Sequence, residues 1–172
     1  MATIFIRLYC YIYVNQQYNV RWNNNFSHPF LVSNGVKQGA IISPAMFLCL
    51  IDTLIMRLRR SGLGCHISNI FVGCFIYADD IFLLSGSRNG LQSMVNICEK
   101  WATDHNMRFN TNKDVTKAKT KCIVFATKSR KDFLVPVILN GDSLPWVDNV
   151  KHLGNFLERN NSMNLDCRMK RA

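Results

Sequence analysis

The chain has 172 residues, a net charge of +10, 48% hydrophobic residues and 19% charged ones. That length and apolar share suit one compact domain with a core and exclude wholesale disorder. No apolar run makes a membrane span: residues 39–56 contain Pro44 and Asp52, residues 70–86 are broken by Asp79-Asp80, and Ile4–Val14 is interrupted by Arg7 and lacks the basic start and cleavage site of a secretion signal.

In chain order, residues 3–13 form an apolar, aromatic run that periodicity alone does not assign to helix or strand. Tyr18–Trp22, the turn formers Asn23-Asn24-Asn25 and Ser27–Ser33 predict a β-hairpin. Asn34–Ile42 is a loop holding Gly35 and Gly39. Ser43-Pro44 then has the look of a helix start, with Ser at the cap and Pro in the first turn. Phe47, Leu50, Ile51, Leu54 and Leu58 carry that helix to about Arg60, where Gly62 and Gly64 stop it.

Phe71–Tyr77 and Ile81–Leu84 predict a second hairpin around an acidic turn. Residues 88–105 form an amphipathic helix with Leu91, Met94, Val95, Cys98 and Trp101 on one face. Residues 110–120 are polar and basic, a loop. Lys121–Ala126 and Phe133–Leu139 read as strands, Asn140-Gly141 as a tight turn, and Leu153–Leu157 as a last strand. Strands and helices mix without regular alternation, so the expected class is α+β. The domain is expected over 1–158, followed by a basic, frayed tail at 159–172.

Charge is unevenly placed. Residues 1–60 carry six Lys/Arg against Asp52 alone, residues 61–112 three against four acids, and residues 113–172 twelve against six. An acidic centre between basic flanks suits carboxylates set within a polyanion-binding surface, with nucleic acid the first partner and no membrane. Ordinary solvated charge is the bland alternative, and charge alone does not displace it. The seven cysteines are odd in number and form no CxxC pair, which points to buried free thiols in a reducing, intracellular compartment. His28, His66, His105 and His152 lie too far apart in sequence for a structural zinc.

Two features carry chemistry. The first is Tyr77-Ala78-Asp79-Asp80 between apolar β runs. Burying adjacent carboxylates is costly without a cation, and hard oxygen donors suit Mg²⁺ or Mn²⁺. A bare Asp-Asp is more often a solvated corner; the apolar runs and the tyrosine narrow the choice. The second is Gly35-Val36-Lys37-Gln38-Gly39, leading to Ser43-Pro44 and Phe47. Its glycines let backbone approach a ligand, Lys37 can meet a phosphate, and Gln38 can hydrogen-bond a base, a sugar or nearby backbone. By itself this is equally a structural corner, and it is not a Walker loop.

Together, in this order and with a helix between, the two features resemble the reverse transcriptase family, closest to its non-LTR (LINE-like, Jockey-like) retrotransposon branch. Gly35-Val36-Lys37-Gln38-Gly39 with Ser43-Pro44 resembles motif B, and Tyr77-Ala78-Asp79-Asp80 resembles motif C, the active-site hairpin. Met107-Arg108-Phe109-Asn110, with Lys113 or Lys119 after it, resembles the approach to motif D, with about six residues inserted. Val150-Lys151-His152-Leu153-Gly154 resembles motif E, the primer grip, with His152 in place of tyrosine.

The resemblance implies a partial polymerase palm: an antiparallel sheet bearing the hairpin, packed by two helices. It implies template-directed nucleotidyl transfer by two-metal chemistry, with an RNA template, a DNA primer and dNTP as partners. Asp79 and Asp80 would hold Mg²⁺ or Mn²⁺. Tyr77 would lie near the primer end, and Gly35, Lys37, Gln38, Gly39 and Ser43 would shape the nucleotide–template pocket. Lys113 or Lys119 would face the triphosphate, and Leu153 and Gly154 would hold the primer backbone. The family's motif A, which supplies another metal-binding aspartate, has no counterpart here, because no acid precedes Asp52. The expectation is a chain catalytically incomplete alone. A non-catalytic nucleic-acid-binding remnant and an RNA-dependent RNA polymerase are the alternatives.

Overall fold

A computed structural model describes residues 2–32, 35–37, 39–111, 118–125, 135–152 and 155–158. The chain divides into two compact units, Met1–Thr53 and Leu54–Ala172. The α+β class holds. Among the described residues the strands pair two by two: six ladders are antiparallel and one is parallel.

The first unit opens with α1, Ala2–Val14, which settles the undecided apolar run as helix. The predicted hairpin follows as two nested pairs. The inner pair is β2 (Arg21–Trp22) with β3 (Asn25–Phe26), and the outer is β1 (Gln17–Tyr18) with β4 (Phe30–Leu31). Ser27 joins them: its N–H reaches the Val20 carbonyl at 2.9 Å, and its hydroxyl accepts the Val20 N–H at 2.9 Å. α2 runs Ser43–Arg60, the span read from the sequence. Ser43 does not act as the expected cap. Its buried hydroxyl donates back to the Lys37 carbonyl at 2.7 Å and meets the Tyr13 hydroxyl at 2.9 Å. Of the described residues in this unit, only Ser43 and Ile51 are buried.

The second unit holds the core. Leu54 and Leu58 of α2 are fully buried, and Arg57, Arg59 and Arg60 in its last turn complement the helix dipole. β5 (His66–Ile67) and β6 (Ile70–Phe71) form a short hairpin, then β7 (Cys74–Tyr77) and β8 (Asp80–Leu83) form a second. The run Phe71–Tyr77, expected as one strand, is divided between two hairpins: the Val72 N–H bonds the Cys65 carbonyl at 2.9 Å, continuing the β5–β6 ladder, and the β7–β8 pairing begins past Gly73 at Cys74.

α3, Arg88–Asp104, is capped by Ser87, whose hydroxyl accepts the Gly90 N–H at 3.1 Å. It buries Met94, Val95, Cys98, Trp101 and Ala102, so its apolar face was legible in the 3.6-residue spacing. β9 (Cys122–Ile123) pairs in parallel with β12 (Trp146–Val147). β10 (Val137–Leu139) pairs with β11 (Asp142–Leu144) across Asn140-Gly141, both with positive φ, as a two-residue hairpin turn requires. Val95, Cys122, Val137, Leu139 and Leu144 form one buried cluster, with Leu83 and Leu91 packed against it.

Gln92 fastens α3 to β10 by mimicking a neighbouring strand. Its amide donates to the Ile138 carbonyl and accepts the Ile138 N–H, both at 2.8 Å. Arg57 and Asp104 pair at 2.8 Å on the surface, and the Arg57 hydrogen bond holds the Asp104 carboxyl below its usual range. An exposed pair of this kind contributes little stability. β13 (Asn149–His152) and β14 (Asn155–Glu158) form a last hairpin, of which the sequence foretold only the second strand. The expected strands over Lys121–Ala126 and Phe133–Leu139 shrink to Cys122–Ile123 and Val137–Leu139 within the described residues.

Candidate functional site

The acidic hairpin is built from its base upward. Leu84 N–H donates to the Gly73 carbonyl at 2.8 Å, which extends the β7–β8 ladder by one bond, and Cys65 N–H donates to the Leu84 carbonyl at 3.1 Å. The two loops can meet there because Gly64 and Gly73 have no side chains. A methyl added at Gly64 would stand 3.1 Å from the Gly73 Cα, the Leu84 oxygen and the Met94 Cε. Above this base the register is Cys74↔Leu83, Phe75↔Phe82, Ile76↔Ile81 and Tyr77↔Asp80.

Directly opposed residues of an antiparallel pair share a face. Cys74, Ile76, Ile81 and Leu83 therefore make the inward face, and Leu83 reaches the buried cluster. Burial raises the Cys74 thiol to about 11, so it stays neutral. The other face carries Phe75, Phe82, Tyr77 and Asp80, and the Tyr77 side is 66% exposed.

The turn differs from the expected acidic corner. Ala78 and Asp79 are its two residues, with Ala78 at φ +53°, and Asp80 already stands on β8 opposite Tyr77. Asp79 and Asp80 are both exposed, so the burial argued from the apolar flanks does not hold. The physical reason is length. β7 and β8 have four residues each, and the inward face is used up before the tip. The arrangement is a solvent-facing pair of carboxylates at the end of an aromatic strip.

The glycine–lysine loop lies in the first unit. Gly35 and Gly39 have φ of +95° and +81°, the left-handed conformation that explains glycine there. Lys37 is exposed, and its carbonyl accepts from Ser43 Oγ and from the Ala40 N–H at 3.2 Å. The loop is thus folded back on the start of α2. Lys119 is exposed, ahead of β9. Gln38, Lys113, Leu153 and Gly154 fall outside the described residues.

One feature escaped the sequence reading. An open cavity of about 440 Å³ is lined by Arg108, Phe109, Asn110, Thr111 and Asp142. Thr111 Oγ1 donates to Asp142 at 2.8 Å, and Asn140 donates to the Phe109 carbonyl at 3.0 Å. Arg108–Asn110 were singled out by resemblance; Asp142 gave no signal, because its partner lies thirty-one residues away.

The fit of a divalent ion can be judged from the donors. Asp79 and Asp80 are hard oxygen ligands of the right kind for Mg²⁺ or Mn²⁺. Among the described residues, no three His, Cys, Asp or Glu side chains gather as a metal set. The hairpin brings together two carboxylates, and no larger donor set forms around them among the described residues.

A model of the family described as reverse transcriptase (RNA-dependent DNA polymerase) matches residues 3–155. This chain belongs to the reverse transcriptase family. Its similarities place it with the non-LTR retrotransposon branch. It is 30% identical over 108 residues to the Retrovirus-related Pol polyprotein from type-2 retrotransposable element R2DM of Drosophila melanogaster, covering 60% of this chain and 10% of that protein. It is 34% identical over 67 residues to the Retrovirus-related Pol polyprotein from type-1 retrotransposable element R2 of Nasonia vitripennis, covering 39% of this chain and 6% of that protein. The chain thus spans a tenth or less of the matched relatives' length. The reverse transcriptase match includes both the glycine–lysine loop and the acidic hairpin. No helix of the described residues is long and apolar enough to cross a membrane.

Proposed function

We propose that this chain is the part of an RNA-directed DNA polymerase that carries the Asp79–Asp80 metal ligands, and that it is catalytically incomplete alone. One observation carries this: in a chain matched to reverse transcriptases over 3–155, two adjacent carboxylates stand exposed at the tip of the two-stranded β7–β8 ladder. An added strand bearing a third carboxylate would extend the ladder into a palm sheet and complete the ion's shell at once.

The partners would be an RNA template, a DNA primer and dNTP, in the nucleus or cytoplasm. The primer 3′-hydroxyl attacks the α-phosphate of the dNTP, pyrophosphate leaves, and the hydroxyl proton passes to solvent. Bound Mg²⁺ or Mn²⁺ would neutralise charge on the transferring phosphate. Asp79 and Asp80 would hold the ion through their carboxylate oxygens. Tyr77, beside Asp80, offers its ring to the primer end. Gly35, Lys37, Gln38, Gly39 and Ser43 shape the nucleotide–template pocket, Ser43 by pinning the Lys37 carbonyl. Lys113 or Lys119 serves the triphosphate as proton donor, and Leu153 and Gly154 steady the primer backbone.

The test is dNTP incorporation on primed poly(rA) with Mg²⁺ or Mn²⁺. The chain alone should incorporate nothing. The same residues inside a polypeptide of the relatives' extent should incorporate, and Asp79→Asn or Asp80→Asn should lower the rate at least about a hundredfold, the scale of losing a principal charge-stabilising group. Incorporation by the isolated chain would overturn the incompleteness, and an active Asp79→Asn enzyme would overturn the site. The second reading, a non-catalytic nucleic-acid-binding remnant, draws on the +10 charge and the partial donor set. It predicts salt-dependent RNA binding, unchanged by Asp79→Asn, in a polypeptide inactive at any length.

A further inference from the structure

The tip of the first unit's hairpin is a surface that the carboxylate site does not use. Trp22 pairs with Asn25 and Arg21 with Phe26. Neighbours along a strand point to opposite faces, so the tip carries Trp22 on one face and Phe26 on the other. Trp22 is 77% exposed and Phe26 67%. Rings of that size add most to folding when buried, and here both stand in water around a turn of two asparagines, Asn23 and Asn24.

Arg21 is set in place as well. Its Nε donates to the Asn23 carbonyl at 3.2 Å, and its guanidinium lies 5.8 Å from the Phe26 ring centroid, within cation–π range. No Asp or Glu occurs between residues 1 and 51. The tip therefore has a fixed cation, two open rings and amide groups, with no carboxylate in its own stretch of chain to repel a phosphate. Trp and Arg also mark protein interfaces. The lack of acids, the amide-rich turn and a chain charge of +10 favour a polyanion.

We propose that the Arg21–Phe26 tip binds single-stranded nucleic acid that wraps the turn, with Trp22 stacking on an unpaired base on one face and Arg21 meeting a phosphate of the same strand on the other. Every base has a π-face, so this contact tolerates sequence. A duplex keeps its bases stacked on one another and offers none to the ring. The site rests on nucleic acid being the partner of the chain, as proposed above, but not on Asp79 or Asp80.

The experiment measures anisotropy of a labelled 15-nucleotide oligo(U), and of the same strand in a duplex, against the full chain over a series of salt concentrations. Trp22→Ala should weaken single-strand binding roughly ten- to a hundredfold, the loss expected for one base–aromatic stack. Trp22→Phe, which keeps a ring, should stay within about threefold of the original while losing the quenching of exposed tryptophan fluorescence. Arg21→Gln should reduce the slope of log K against log salt by about 0.7, one phosphate contact to a single strand. The titrations are run in EDTA without dNTP, where the Trp22 and Arg21 effects should persist, so a failed metal site leaves this result standing. Undetectable oligo(U) binding, equal affinity of Trp22→Ala and the parent, or a Trp22→Ala effect confined to self-association would overturn the proposal.

Discussion

Ala78 sits between the two most informative residue pairs of the chain, and its φ of +53° is one that a residue with a Cβ adopts only under strain. The strain is about 1–2 kcal/mol in the left-handed region. Glycine removes it, but adds about 0.5–1 kcal/mol of unfolded-chain entropy. Strain relief is at least as large, so Ala78→Gly should leave stability unchanged or raise it by up to about 1.5 kcal/mol. Gly64→Ala is the opposite case. Gly64 has φ +90°, and a Cβ there meets backbone atoms of Gly73 and Leu84 at 3.1 Å. It should cost well over about 1 kcal/mol, because neither backbone can yield cheaply. Urea unfolding of both variants checks the pair, and a destabilised Ala78→Gly beside a neutral Gly64→Ala would contradict the hairpin geometry. At this scale the sequence showed which residues carry charge but not the backbone that presents them. Asp79-Asp80 was plain to see. That Ala78 takes the strained turn position, and that Gly64 is a clamp rather than merely a helix stop, depends on contacts made far along the chain.

The helices were readable as elements because their signals are local. α2 has an apolar spacing of three and four residues between Ser43-Pro44 and Gly62, and its bounds came out as expected. α3 owes its span to the same spacing and to the Ser87 cap. The hairpins drifted because strand ends are set by partners: the 71–77 run divided at Gly73 between two ladders, and the β13–β14 hairpin gave only half its signal. Packing against α3 has a consequence for pH. Burial raises the Cys98 thiol to about 12 and the Cys122 thiol to about 11, from an ordinary value of 9.0. Below pH 9 both are neutral, folded or unfolded, and contribute no pH dependence. Above it the unfolded chain ionises first and holds fewer protons than the folded one, so stability falls as pH rises. Each thiol that ionises only when unfolded steepens the fall by up to about 1.4 kcal/mol per pH unit. Stability measured by urea titration from pH 7 to 11 should be level in these two terms until about 9 and then decline. A Cys98→Ala, Cys122→Ala variant should start less stable and decline less steeply. Equal slopes for the two proteins would rule out the thiols as the cause.

For the whole molecule, the telling feature is where apolar surface remains in water. α1 exposes Ile4, Phe5, Ile6, Leu8, Tyr11, Ile12 and Val14, spread around the full turn rather than along one stripe. A helix apolar around most of its circumference, with Arg7 as its one charge, belongs against a larger body or a membrane. At thirteen residues it is about 20 Å long, short of the roughly 30 Å hydrocarbon core. A protein environment is the better fit. The sequence revealed the composition of this segment without its exposure, because exposure depends on what else is present. In isolation that surface should drive self-association, since apolar area of this extent costs free energy when wet. Purified alone, the chain should bind an environment-sensitive apolar dye and run as oligomers that grow with concentration. Ile4→Gln, Leu8→Gln and Tyr11→Gln together should reduce both signals without loss of helical circular dichroism, because none of the three is buried. A monomeric parent chain that binds no dye would mean that α1 is covered by its own molecule, and the case for a larger host body around it would fall.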